Sequence, residues 1–311
     1  MQFWGTTRGE LPAFAEYDLP HGLIGIGRRL RSSSDETHRV FEVEWGECGR
    51  IGCMTIEYVP VSGDGRLWAE KGGSGAPMVL LHGSVHDSRL WDGVFPGLAR
   101  HHTVIRYDAR GLGRSTPPTA PFRYEDDLLA VLDHFGVESA TLVGLSMGGE
   151  VALDFTLEHP ERVRSLVLVA ASASGHDWPR SPEMDAYAAA DRGDDADRLA
   201  EMELTVWASL GDRAPGYAAI AGMVTENAKV RVAAEKGHVR FSEVGAVEVL
   251  ERVAVPTTVV VGDHDHPEIG VIARRLAEGI PGARLEIVAA ADHYLPLRAP
   301  ERLLEIIVPG R

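Results

Sequence analysis

The sequence predicts an α/β protein built on a mostly parallel, twisted sheet with helices on both faces. Three observations carry that expectation. Short aliphatic or β-branched runs alternate with stretches long enough for a helix, which is the rhythm of right-handed strand–helix–strand crossovers. A serine stands between glycines at a strand-to-helix turn, Gly144-Leu145-Ser146-Met147-Gly148-Gly149. Carboxylates and histidines follow two later strands, Asp263-His264-Asp265-His266 and Asp292-His293, where an open α/β sheet keeps its chemistry.

Residues 1–52 are rich in Gly, Arg, Ser and Glu. They are expected to form an N-terminal extension of uncertain structure: a leader, extra strands, or the product of an upstream start codon. From residue 54 the pattern changes. Two alternating runs, 55–59 and 66–70, flank Ser62-Gly63-Asp64-Gly65 and predict a hairpin. Strands are expected at 77–81 and 103–107 with a helix at 88–100 between them, then a helix at 124–135 and a buried strand at 140–143. After Ser146 a helix should run to Pro160, followed by a strand at 165–169. The next stretch, 172–253, breaks this rhythm and is helical in character, with helices expected at 186–191, 196–210 and 227–236. Strands at 257–262 and 284–288 complete the sheet.

Composition bounds the function. A chain of 311 residues with 44% apolar content can bury a sizeable core. A formal charge of −15 argues against nucleic acid and anionic membrane surfaces as partners. No apolar run approaches the ~20 residues that span a bilayer. The start, Met1-Gln2-Phe3-Trp4-Gly5, lacks a basic and apolar leader, so a cytoplasmic protein is expected. Cys48 and Cys53 are the only cysteines, too few for a disulfide framework; two thiols in a reducing compartment are expected over a short-loop bridge. Among 13 histidines the close groupings are His101-His102 and His264-x-His266, and neither has the spacing of a helical metal site. No metal and no cofactor are expected, and the oligomeric state is left open, a homo-oligomer included.

The serine motif carries chemistry because its turn is too tight for large neighbours and lifts the hydroxyl above the sheet edge at a helix N-terminus. Backbone N–H groups there can stabilise a developing oxyanion. A serine nucleophile needs a base, and the base an orienting acid. The chain supplies serine, aspartate and histidine in that order.

Five segments then resemble one family. Leu80-Leu81-His82-Gly83-Ser84 is similar to its His-Gly loop, and Asp108-Ala109-Arg110-Gly111-Leu112-Gly113-Arg114-Ser115 to its D-x-R-G-x-G-x-S loop. The turn at Ser146, the acid loop Gly262-Asp263-His264-Asp265, and His293 with Pro296 complete the set. Together they make the chain resemble the α/β-hydrolase fold superfamily, of the capped esterase, lactonase and enol-lactonase type, over about residues 60–311. The resemblance implies a core of residues 53–171 and 254–311 and a helical cap at 172–253. It implies a cofactor-independent serine hydrolase acting on a carboxylic ester or lactone through an acyl-enzyme.

Roles follow from that resemblance. Ser146 would be the nucleophile, His293 the base and Asp265 the acid, preferred over Asp263 because the family's acid sits three residues past the strand-ending glycine. Met147 and Ser84 would give the oxyanion N–H groups, with Val85 the nearest competitor to Ser84. His82, Asp108 and Arg110 would brace loops. The cap's large apolar residues, Trp178, Met184, Tyr187, Met202, Trp207, Tyr217, Met223 and Phe241, favour a neutral, apolar small-molecule substrate. Two positions depart from family habit. Asp292 replaces a common glycine before the base and should raise the pKa of His293, while Arg298 reads as a surface or helix-start change with no catalytic meaning. Dehalogenase and epoxide hydrolase chemistry would need a carboxylate where Ser146 stands. The alternative is a non-hydrolytic use of the same pocket, as a natural-product cyclase or small-molecule receptor.

Overall fold

The computed structural model describes residues 16–18, 24–26, 54–242 and 245–308. Cys48, Cys53 and most of 1–52 lie outside the described residues, so the expectations for them are not taken further. Two short strands, β1 (Glu16–Asp18) and β2 (Ile24–Ile26), pair antiparallel.

The expected hairpin forms β3 (Thr55–Val61) and β4 (Gly65–Gly72), antiparallel around the turn at 62–64. Strands β5 (Ala76–Leu81) and β6 (His102–Tyr107) follow. Between them the single expected helix is broken into a 3-10 turn, Ser88–Trp91, and a short α1 (Phe95–Ala99). Asp87 caps the first piece by accepting the Arg89 N–H, and Pro96 withholds a helical N–H at the start of the second.

Helix α2 (Tyr124–His134), strand β7 (Ala140–Leu145), helix α3 (Met147–Glu158) and strand β8 (Val163–Val169) come next. Strand β9 (Thr257–Gly262), helix α7 (Pro267–Gly279), strand β10 (Arg284–Val288) and helices α8 (Leu295–Arg298) and α9 (Pro300–Ile307) close the chain. The eight-stranded sheet runs β10-β9-β8-β7-β5-β6-β4-β3. Strands β5 to β10 are mutually parallel, and the β3–β4 hairpin joins antiparallel beside β6. β5 has β6 on one side and β7 on the other, so the winding reverses there. An α/β sheet opens a crevice at such a reversal, beyond the carboxyl ends of its strands.

Between β8 and β9 lie three helices, α4 (Pro182–Arg192), α5 (Ala196–Trp207) and α6 (Tyr217–Ala233). Ser181 caps α4 by accepting the Met184 N–H, with Pro182 opening the helix, so it starts four residues before the expected 186. Helix α5 stops at Trp207 because the chain turns away, and the Leu210 N–H is donated to Asp292 Oδ2 at 3.2 Å. Helix α6 begins ten residues before the expected 227 and runs through Gly222, a residue that lowers helix propensity. Asn227 fastens α6 to the core, donating to Asp87 Oδ2 (2.7 Å) and accepting the Gly113 N–H (2.8 Å). Among the described residues no helix is long and apolar enough to cross a membrane.

Candidate active site

The turn between β7 and α3 places Ser146 at φ 54° and ψ −120°, a left-handed conformation that a side chain rarely adopts. Its surroundings force that shape. A Cβ at Gly144 would lie 2.2 Å from the Gly148 carbonyl oxygen, and one at Gly148 would lie 2.4 Å from that of Leu81. The Ser146 N–H is donated to Val169 O on the neighbouring strand (3.1 Å). The Ser146 carbonyl accepts the N–H groups of Gly149, Glu150 and Ser172. The backbone is thereby pinned on all sides while the residue itself stays partly exposed.

At the ends of β9 and β10 the structure brings Asp265 and His293 together. His293 Nδ1 lies 3.0 and 3.1 Å from the two Asp265 oxygens, and both side chains are buried. Asp265 Oδ1 also accepts the His266 N–H at 2.7 Å, which fixes the carboxylate. Burial acts to lower the imidazole, but the Asp265 charge and its hydrogen bond outweigh it, with Glu203 and Asp292 adding. The His293 pKa therefore lies above the ordinary histidine value. Asp263 lies away from His293: it is exposed, pairs with His264 at 2.6 Å, and has its pKa lowered by that partner. Ser146 and His293 share no hydrogen bond among the described residues.

Met147 opens α3, so its N–H has no acceptor one turn back. The Ser84 N–H makes no backbone hydrogen bond among the described residues. Below this loop His82 accepts the Ala109 N–H at Nε2 (2.8 Å), which leaves the proton on Nδ1 to be donated to Gly83 O (2.8 Å). Burial holds His82 below its ordinary pKa. Asp108 accepts from the Ser88 and Arg114 N–H groups and from the Arg114 guanidinium, and Arg110 meets Asp127 in a buried pair at 2.5 Å. These contacts tie the two loops beside Ser146 into one unit.

Arg298 corrects an expectation. It is buried, not on the surface, and its guanidinium grips Asp292 at 2.9–3.2 Å, both side chains at 1% exposure or less. It also donates to Pro215 O in the helical insertion at 2.6 Å. The negative charge of Asp292 beside His293 is thus matched by an adjacent cation.

Of the large apolar residues expected in the insertion, Trp207 lies over the His293 ring, centroids 4.6 Å apart and planes at 34°, while Phe241 is 73% exposed. The sequence reading missed one group beside them. Glu203, one turn before Trp207 on α5, is buried at 1% exposure. It accepts the Tyr187 hydroxyl (2.7 Å) and the Tyr294 hydroxyl (3.3 Å), and His86 Nε2 lies 3.2 Å away. The signal was present but unread: Glu203 sits on the apolar stripe of Leu199, Met202, Val206 and Trp207, where a charge needs partners.

Several curated relatives match at 38–39% identity over 110–123 residues, and the chain spans only 35–42% of their length. A pimeloyl-[acyl-carrier protein] methyl ester esterase of Aeromonas hydrophila subsp. hydrophila is 28% identical over 249 residues, 76% of this chain and 96% of its own. Among solved structures, a hydrolase from Pseudomonas aeruginosa PA01 is 26% identical with a TM-score of 0.68, covering 81% of this chain and 97% of its own. Est816, an N-acyl homoserine lactone degrading enzyme, is 27% identical with a TM-score of 0.66, covering 80% and 98%. The alpha/beta hydrolase fold pattern matches residues 76–300, from β5 to the start of α9, and the chain belongs to that family.

Proposed function

We propose that this protein is a cofactor-independent serine hydrolase of carboxylic esters or lactones, working through an acyl-enzyme. The observation that carries the reading is the buried Asp265–His293 pair, with Nδ1 committed to the carboxylate so that Nε2 is left to accept a proton. Ser146 Oγ attacks the acyl carbon as His293 Nε2 takes its proton. The tetrahedral oxyanion is held by the Ser84 and Met147 N–H groups. As the intermediate collapses, the C–O bond to the leaving group breaks and His293 returns the proton to the departing oxygen, leaving an ester on Ser146. Water activated by the same imidazole then releases the acid and restores Ser146. Asp265 orients the ring and stabilises the imidazolium.

Helices α4 to α6 serve as a cap in this reading, with Trp207 above the base. The relatives support both substrate forms, since one is a methyl ester esterase and another degrades a lactone. The test is a time course with p-nitrophenyl acetate and butyrate, for the native protein and for Ser146→Ala, with intact mass measured after quenching. A phenolate burst and an acyl adduct are expected, both absent in the variant, with turnover reduced by at least ~10^3-fold. Folded native protein showing neither burst nor adduct would refute the reading.

A further inference from the structure

His293 is contacted by more than its acid. Helix α5 presents two residues one turn apart toward the base: Trp207, stacked on the imidazole, and Glu203, bonded to the hydroxyl of the residue that follows His293. The Tyr294 ring stands edge-on to His293 at 6.2 Å and against His86 at 5.0 Å. Both tyrosines that reach Glu203 are held protonated, their pKa values pushed well above the ordinary phenol by burial and then by the Glu203 charge. They are therefore fixed donors to the Glu203 carboxylate inside the insertion. Burying a carboxylate costs several kcal/mol unless its surroundings return it; its two donors come from α4 and the His293 loop, and His86 from the loop after β5 lies 3.2 Å away.

We propose that Glu203 is a positioning residue for His293, a second buried carboxylate that stabilises the imidazolium formed when Ser146 gives up its proton. Asp265 acts by direct hydrogen bond; Glu203 acts through space and through the Tyr294 hydroxyl. The helical insertion therefore contributes to the base as well as to the roof. The inference rests on His293 being that base. The charged and titratable groups around the ring are Asp265 from the β9 loop, Glu203 from α5, and Asp292 with its partner Arg298 from the β10 loop and α8. His266 lies against the far side of Trp207, ring centroids 5.5 Å apart.

The experiment is an NMR titration of the His293 ring, assigned by the resonance lost in His293→Ala, for the native protein, Glu203→Gln and Glu203→Asp. Glu203→Gln keeps an oxygen for Tyr187 and Tyr294 but removes the charge, and the His293 midpoint should fall by about one pH unit. Glu203→Asp keeps the charge farther back, so its midpoint should lie between the other two. The acidic limb of kcat/KM on p-nitrophenyl acetate should move to lower pH in step. A midpoint unchanged in folded Glu203→Gln would overturn the proposal and leave Glu203 as a fastener of α5. If that variant does not fold, an unchanged midpoint in Glu203→Asp overturns it equally. The ring titration does not depend on turnover, so a protein that hydrolyses no ester would fail the functional reading while still deciding this one.

Discussion

The loops after β9 and β10 each bury an aspartate, and the two aspartates do opposite things. Asp265 faces an imidazole, whose proton can come and go; Asp292, beside that imidazole, faces the Arg298 guanidinium. Residue type and burial are the same, so the partner decides the role. A carboxylate paired with a titratable ring can follow a developing charge, whereas one paired with arginine is spent on holding the loop and, through Pro215 and Leu210, the helical insertion.

The largest expected effect breaks the first pair. Asp265→Asn keeps the shape but loses the charge and permits the wrong tautomer, and kcat/KM for p-nitrophenyl acetate should fall by about 10^3–10^4-fold with little change in urea midpoint. A loss below tenfold would mean that Asp265 is not the orienting acid. The second pair should fail in the other sense. Arg298→Met strands a buried carboxylate and should cost about 3–5 kcal/mol in urea unfolding, most of it restored in Asp292→Asn/Arg298→Met. The single variant should also shift the acidic limb of activity to higher pH, because the uncovered Asp292 charge favours the imidazolium.

A third aspartate sharpens the comparison by having no cationic partner among the described residues. Asp154 on α3 accepts the Ser174 hydroxyl at 2.6 Å, and burial, then Glu150, Glu125 and Glu158, push its pKa up to about 7. A folded pKa above the unfolded one gives stability that is present below about pH 4 and is lost as pH rises through about 7. Asp154→Asn should therefore match the native protein in thermal melts near pH 4 and exceed it by about 1–2 kcal/mol at pH 8. A gap that does not widen with pH would show that Asp154 is paired in some other way.

These pairs mark the limit of what the sequence could say. The turn at Ser146 was legible because it is local: two close approaches, at Gly144 and Gly148, demand glycine within five residues. The strands carrying Asp265 and His293 were legible for the same reason, as β-branched runs ending in polar loops. The helix expected at 88–100 was not, since apolar spacing outweighed Pro96 and the side-chain cap at Asp87. Glu203 and Tyr294 are 91 positions apart, and Asp292 and Leu210 are 82 apart. No periodicity reports such contacts, and Arg298 looked like surface because its partner becomes one only when α8 folds back.

Ser146 itself carries a consequence for how the protein could change. At φ 54° any Cβ strains the backbone by about 1 kcal/mol, and glycine alone would rest there freely. Selection for thermal endurance alone would favour erasing the side chain at this position. A thermostabilised library of this fold should therefore be screened for activity at every round.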